Sequence, residues 1–128
     1  MIPQKSHMLT LFIFMLSLLL IHEMDAIRSK EWKMFIGLKD LKDDTAYKIF
    51  TIAHLPLYFV GFFILAQAGS LANTVLYFIM DGFLACHTVI HFCFRKHPAN
   101  GFSSMFSQCI INLMGLLAII HLCLMFFV

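Results

Sequence analysis

Four histidines of this 128-residue chain occupy positions from which they could bind one metal ion: His22, His54, His87 and His91. His87 and His91 are four residues apart, so on a helix they lie on one face and could both reach a single ion. Neutral imidazole is a usual ligand of Zn²⁺ and of non-haem Fe or Mn, and a catalytic site takes about three protein ligands. A divalent metal site for Zn or non-haem Fe/Mn is therefore predicted, with three nitrogens from His87, His91 and either His22 or His54.

Two carboxylates accompany the histidines in the sequence. Asp25 lies three residues after His22, which places both on one helix face, whereas Glu23 points about 100° away and is interpreted as the solvated end of the helix. Asp81 lies about 80° to about 120° around its helix from the two later histidines. Asp25 and Asp81 are therefore predicted as a fourth ligand or as the general base for a metal-bound water. Asp25 could instead pair with Arg28 one turn on.

The apolar composition of the chain predicts a membrane protein. Hydrophobic residues make up 61% of the sequence and charged residues 12%, and the apolar residues form long blocks. A spanning helix needs about 20 mostly apolar residues. Four blocks predict an all-α fold, an integral membrane antiparallel bundle of four transmembrane helices in one domain, at about residues 8–25, 46–68, 70–94 and 105–128. A cleaved signal peptide is the alternative for the first block.

The distribution of lysine and arginine predicts the orientation in the lipid bilayer. Most of these residues lie in two segments, at about residues 26–45 and 95–104, whereas the turn after the second block and the C-terminus have none. The positive-inside rule places both segments in the cytoplasm and both termini outside. With a rise of about 1.5 Å per residue, the four histidines then lie about 5 to about 12 Å from the cytoplasmic ends of three helices. This common depth is the main functional signal in the sequence.

Other residues near this level have structural interpretations. Glu31 is interpreted as a solvated charge that could pair with Arg28, and Trp32 as an anchor at the membrane interface. His54 lies two residues before Pro56, so it could instead bond backbone groups freed by a proline kink. His121 falls in the other half of its helix and is left out of the site.

Two motifs carry a resemblance to a known family. "HEMDAIRSKEW" and "DGFLACHTVIH" resemble the patterns H-E-x-D-A…E-W and D-x5-H-x3-H of a family of small, uncharacterised four-helix bacterial membrane proteins. The resemblance covers nearly the whole chain and implies a bacterial inner-membrane protein without an assigned activity. The matching positions are His22, Glu23, Asp25, Glu31, Trp32, Asp81, His87 and His91. The combination of an aspartate with H-x-x-x-H is also similar to the three-histidine zinc site of seven-helix membrane hydrolases such as alkaline ceramidases, which have about twice as many helices.

The sequence leaves three functions open, and only the first includes enzymatic activity. The leading hypothesis is a metal site near the cytoplasm, in a hydrolase that acts on a lipid or another amphiphile. A b-type haem protein would use paired histidines as axial ligands. A non-catalytic small subunit would use its polar residues for hydrogen bonds between helices. The net charge of +2 gives no indication of nucleic acid binding, and a homo-oligomer would enlarge the small interior that four helices leave.

Overall fold

The computed structural model describes residues 2–67 and 72–127, with side chains at 6–67 and 74–127, and every regular element in this part of the chain is helical. The elements are α1 (Ile2–Arg28), a 3₁₀ helix (Glu31–Met34), α2 (Asp43–Ala53), α3 (Leu55–Ala66), α4 (Ala72–Phe94) and α5 (Met105–Phe126). The prediction of an all-α fold is confirmed. The predicted helix limits at residues 68, 70 and 128 lie outside the described residues.

Four stretches of the described chain are long and apolar enough to cross a membrane, as the sequence predicts. They are Ser6–Arg28, Asp43–Ala66, Thr74–Phe94 and Met105–Phe126. The first helix is longer at both ends than the predicted block. Its only proline, Pro3, lies in the first turn, where the missing N–H costs no helical bond.

The second candidate span contains both α2 and α3, which meet at His54. Pro56 lies at the start of α3 and cannot donate a backbone hydrogen bond to the preceding turn. The N–H of His54 bonds the carbonyl of Thr51 at 3.2 Å, and Nδ1 of its ring lies 2.6 Å from the carbonyl oxygen of Phe50. The histidine side chain thus satisfies a carbonyl group at the break between the two helices.

Two clusters of buried apolar side chains hold the helices together. The first joins α1, α3, α4 and α5, and includes Phe12, Met15, Leu19, Ile64, Met80, Leu84, Met114 and Ala118. The second joins the end of α1 to the 3₁₀ helix, α2 and α5, and consists of Ala26, Trp32, Ala46, Phe50, Phe102 and Ile111. On α1, Leu19 belongs to the first cluster and Ala26 to the second. His22 therefore lies between two apolar layers.

The segment between α1 and α2 folds back against the helices. Glu31 and Trp32 are each only 4% exposed, so the interpretation of Glu31 as a solvated charge and of Trp32 as an interfacial anchor is wrong. The indole N–H of Trp32 donates to Oδ1 of Asp43 at 3.1 Å, and its ring packs against Phe50. Burial of the indole fixes the 3₁₀ helix, and with it the neighbouring carboxylate.

Candidate metal site

Three imidazoles and one carboxylate converge at a single point. Nε2 of His22 lies 2.8 Å from Nε2 of His87, which in turn lies 3.1 Å from Nε2 of His91. Oε1 of Glu31 lies 3.3 Å from Nε2 of His91. The potential ligand atoms of these four residues all lie within 4.8 Å of one another.

Three separate parts of the chain bring these side chains together. His87 and His91 are one helical turn apart on α4 and share a face, as their spacing predicts. His22 comes from α1, between the two apolar clusters. Glu31 reaches the site because Lys30 adopts a left-handed conformation, with φ 53° and ψ 51°, and turns the chain back at the end of α1.

The imidazoles form more close contacts with one another than their ring hydrogens can turn into hydrogen bonds. A ring nitrogen carries either one hydrogen or one lone pair in the plane of the ring, so Nε2 of His87 can form one linear hydrogen bond. It nevertheless faces two ring nitrogens, those of His22 and His91. A cation at the point of convergence would accept the lone pairs of all three nitrogens.

The separations of the ligand atoms suit a bound transition metal. With bonds of about 2.0 to 2.1 Å, neighbouring ligands of tetrahedral Zn²⁺ lie about 3.3 Å apart, and neighbouring ligands of an octahedral ion lie about 3.0 Å apart. Three of the six separations among the ligand atoms of His22, His87, His91 and Glu31 are 2.8, 3.1 and 3.3 Å, and the others are no longer than 4.8 Å, so binding of an ion would draw the most distant pair together. Three imidazole nitrogens and one carboxylate oxygen form a ligand set for Zn, non-haem Fe or Mn.

The site is shielded from water on most sides. His22, Glu31 and His91 are buried, and the ring of Phe102 packs against both His22 and His91 at centroid distances of 5.4 and 4.7 Å. Burial alone would raise the pKa of Glu31. The hydrogen bond from His91 and the charges of the nearby histidines together have the larger, opposite effect, so the pKa of Glu31 lies below its usual value. Glu31 therefore offers an ionised carboxylate to the site.

A pocket adjoins the site and is mostly apolar. It is lined by Glu31, Met34, Phe35, His87, Ile90, His91 and Phe94. His87, His91 and Glu31 thus line the pocket, whereas His22 does not. A molecule with an apolar body could occupy this pocket and present a polar group to these side chains.

The chain matches one family of known sequences. The model of a family of unknown function, DUF6713, matches residues 8–128. The chain belongs to this family. The expected membership of an uncharacterised family is thus confirmed, and the matched region of DUF6713 contains all four residues of the convergent group. No curated protein and no solved structure matches the chain.

His54 lies outside the convergent group in this DUF6713 chain. Its Nε2 is 2.9 Å from Oε2 of Glu23, which is only 4% exposed, so the interpretation of Glu23 as a solvated helix end is wrong. The Nδ1–H of the imidazole donates to the carbonyl of Phe50. Nε2 can then bond Glu23 only if one further proton lies between them, on the histidine or on the carboxyl. The pair links α1 to the break between α2 and α3.

Asp25 also bonds residues outside the convergent group. Its Oδ1 accepts a hydrogen bond from Nε of Arg28 at 2.9 Å, and its Oδ2 accepts one from Oγ of Ser107 at 2.5 Å. The N–H of Ser107 donates to Oγ of Ser104, the residue that caps the start of α5. The side chain of Asp25 therefore ties the end of α1 to the beginning of α5.

Asp81 pairs with His121 at a different level of the bundle. Both residues are fully buried, and Nδ1 of His121 lies 2.6 Å from Oδ2 of Asp81. Neither residue belongs to the group that converges around His87. The four predicted metal ligands thus divide into three that meet and one that does not, and both predicted catalytic aspartates have other partners.

Glu31 is the member of the group that spacing and depth did not select. It follows the last turn of α1 in a charged segment, so hydropathy places it in water. A signal that could have found it is the E-W pair in the resemblance described above, which singles out Glu31 and Trp32. The burial of Trp32 next to Glu31 explains how the carboxylate is held away from water.

Proposed function

We propose that the chain is an integral membrane metalloprotein that binds one divalent ion, Zn²⁺ or non-haem Fe or Mn. His22, His87, His91 and Glu31 are the proposed ligands. The observation that carries the proposal is the convergence of three Nε2 atoms and one carboxylate oxygen on a buried point. Such groups are costly to bury without partners, and a bound cation would satisfy the three nitrogens and offset the charge of Glu31.

The geometry favours a single ion over a haem. Two axial histidines hold haem iron from opposite faces of the macrocycle, so the plane of the porphyrin must fit between the two rings. The Nε2 atoms of His22 and His87 are 2.8 Å apart, and the ring of Phe102 packs against His22. This packing leaves no space for a planar cofactor of that size.

We further propose that the ion serves hydrolysis of a lipid or another amphiphile. An ion held by these four residues would need one further coordination position for water or substrate, where it would polarise a carbonyl or phosphoryl oxygen and lower the pKa of the water. The apolar lining of Met34, Phe35, Ile90 and Phe94 suits an acyl or alkyl chain beside the histidines. Catalytic roles for Asp25 and Asp81 stay predictions, because the bonds of both residues lead to other parts of the protein.

The proposed setting is a bacterial inner membrane. The four candidate spans would cross it as an antiparallel bundle with both termini outside, and the segment with Glu31 would lie on the cytoplasmic side. Reporter fusions at the C-terminus test this orientation: an alkaline phosphatase fusion is expected to be active, and a green fluorescent protein fusion dark. The opposite pattern would place the metal site near the outer face. A homo-oligomer stays a prediction.

Metal analysis of the purified protein tests the proposed function. We expect about one Zn, Fe or Mn per chain by mass spectrometry, and loss of that metal when His87 and His91 are both changed to Ala. His7→Ala is the matched control, because His7 is exposed on α1. A wild-type protein without stoichiometric metal would rule the proposal out, as would a double variant that keeps its metal. A non-catalytic subunit would show lower stability of the histidine variants without any change in bound metal.

Hydrolysis is tested separately on the metal-loaded protein. Release of fatty acid or of a polar head group from micellar lipid substrates should depend on the metal and disappear with His87→Ala. If the metal-loaded protein hydrolyses none of a broad set of ester, amide and phosphoester lipids, the proposed hydrolase activity is refuted. The proposed metal binding is not affected by that result.

A further inference from the structure

A second buried polar pair lies away from the proposed metal site. Asp81 of α4 and His121 of α5 are each 0% exposed, and Nδ1 of His121 lies 2.6 Å from Oδ2 of Asp81. The rings of Phe12 and Tyr77 lie against the imidazole, with centroid distances of 6.0 and 5.2 Å. The pair is therefore surrounded by aromatic side chains from two helices.

An apolar layer separates this pair from the metal site. Asp81 precedes His87 by six residues on α4, which corresponds to about 9 Å along the helix and about 120° around it. Between the two levels, α4 contributes the buried Leu84, and α5 contributes the buried Ala118. The pair lies nearer the other end of the spans, since Asp81 is seven residues, or about 10 Å, from Thr74.

One polar atom on each side chain of the pair forms no hydrogen bond within the described part of the chain. Oδ1 of Asp81 and Nε2 of His121 are both buried, and neither has a hydrogen-bond partner in the described part of the chain. Nearly all buried polar atoms in folded proteins have a partner, and ionisable groups within a membrane are expensive to maintain. Two uncharged side chains would be enough for one hydrogen bond between α4 and α5. A purely structural role therefore does not explain why the pair consists of a carboxylate and an imidazole, each with an unbonded polar atom.

The charge of the pair depends on a single proton. With Nδ1–H donated to the carboxylate of Asp81 and Nε2 unprotonated, the pair carries one negative charge in apolar surroundings. Among the described residues, no lysine or arginine forms an ion pair with Asp81; α1 presents Phe12 to the pair, and the titratable side chain that contacts His121 from α4 is Tyr77. One additional proton makes the pair neutral, which burial favours.

We propose that Asp81 and His121 form a proton-binding site within the membrane, at which one proton binds and leaves Nε2 of His121. The hydrogen bond between Nδ1 and Oδ2 is kept in both states. Because Nε2 is buried, water reaches it only when the surrounding helices open transiently, and the proton is then exchanged with that water without any other reactant. This site is separate from the proposed metal site and does not depend on a bound ion.

Nuclear magnetic resonance of the full-length protein in micelles, labelled with ¹⁵N at histidine, tests the proposal. We expect the Nε2 shift of His121 to move reversibly from that of an unprotonated to that of a protonated nitrogen as the pH is lowered from alkaline to acidic values. Its Nδ1 should remain protonated throughout. The resonance is assigned by its loss in His121→Gln or, if that variant does not fold, by through-space contacts with Phe12 and Tyr77.

Asp81→Asn supplies the second arm of the experiment. The amide retains an oxygen that can accept the Nδ1–H but removes the negative charge, so Nε2 of His121 should stay unprotonated over the same range. Two outcomes would overturn the proposal: an Nε2 shift that is constant with pH in the wild type, which would indicate a static pair, or an unchanged titration in folded Asp81→Asn.

Discussion

The Nε2 atoms of His22 and His87 lie 2.8 Å apart, although the residues are 65 positions apart in the chain and belong to different helices. Two neutral imidazoles at this distance can share one hydrogen, yet Nε2 of His87 also faces His91 at 3.1 Å. The proposed function accounts for this contact, because both nitrogens would then be ligands of one cation. His22 is then as necessary for metal binding as the more conspicuous H-x-x-x-H pair.

Replacement of His22 by Gln should therefore weaken metal binding. The amide is a poorer ligand than imidazole. Substitutions of residues that only support a ligand lower metal affinity about 10-fold to 100-fold, and we expect the loss of a ligand to lower it by at least this much. Competition with a chelator of known affinity measures the effect. His7→Gln is the control and should bind metal as the wild type does. If His22→Gln bound metal with unchanged affinity, His22 would not be a ligand.

Removal of the metal should lower the thermal stability of the protein. A ligand that binds only the folded state stabilises it by about 2.7 kcal/mol when present at 100 times its dissociation constant. We expect the melting temperature in detergent to fall by at least a few degrees after chelation and to recover when the metal is restored. The variant with both His87 and His91 changed to Ala should show no response to metal or chelator. A chelator that lowered the melting temperature of that variant equally would show that the effect does not arise at this site.

His54→Gln should leave the bound metal unchanged, contrary to the expectation from depth alone. The imidazole contacts Glu23 and the carbonyl of Phe50 and does not belong to the convergent group. Its loss removes a half-buried pair with a charged partner, so we expect a destabilisation of about 1 to 3 kcal/mol. Metal content and the unfolding free energy, measured on the same preparation, separate the two effects. Loss of metal without a change in stability would return His54 to the ligand set.

The three histidines that meet could be found from the sequence because regular helices make depth and direction predictable. His87 and His91 share a face at four-residue spacing, and His22 falls at their level once the spans are aligned. His54 falls at the same level, but its side chain bonds the carbonyl of Phe50, at the break in the helix before Pro56, and the carboxylate of Glu23. Depth along a helix thus selects candidates, and the local backbone decides where each one points.

Glu31 could not be placed in this way because its position depends on an irregular turn. The left-handed conformation of Lys30 and the burial of Trp32 reverse the chain after α1, and neither has a periodic pattern in the sequence. The tertiary partners of Asp25 and Asp81 could not be predicted from the sequence either. Ser107 and His121 both come from α5, whose rotation relative to α1 and α4 is set by side-chain packing and not by hydropathy.

Asp25 is expected to act on stability and not on metal binding. Asp25→Asn weakens the buried hydrogen bond with Ser107, and a buried bond to a charged group contributes about 1.5 to 3 kcal/mol. The bond with Arg28 adds little, because the arginine side chain is mostly exposed. A double-mutant cycle with Ser107→Ala should give a favourable coupling energy of at least about 1 kcal/mol. Asp44→Asn is the control, because Asp44 and its partner Lys48 are mostly exposed, and it should change stability by less than about 0.5 kcal/mol. Metal loss in a stable Asp25→Asn variant would instead support the catalytic or ligand role that the sequence suggests.

Close contact between α4 and α5 should depend on Gly115. A Cβ at this position would lie 2.7 Å from Cβ of Thr88, whose hydroxyl donates across the interface to the carbonyl of Ile111 at 3.2 Å. Gly115→Ala is therefore expected to push the helices apart and to destabilise the protein by about 1 to 3 kcal/mol. Because His87 and His91 lie on the same helix as Thr88, metal affinity should fall as well.

Gly82→Ala is the matched control for Gly115→Ala, since a Cβ at position 82 of α4 would meet nothing within 4 Å. Alanine has the higher helix propensity, so this variant should be as stable as the wild type or slightly more stable. Thr88→Ala in the Gly115→Ala background should recover part of the lost stability, because it removes Oγ1 and Cγ2 of Thr88, two of the three atoms that the new methyl group meets, and leaves only Cβ. Equal stability of Gly115→Ala and Gly82→Ala would show that the two helices can separate without cost, and that their close approach does not position the histidines.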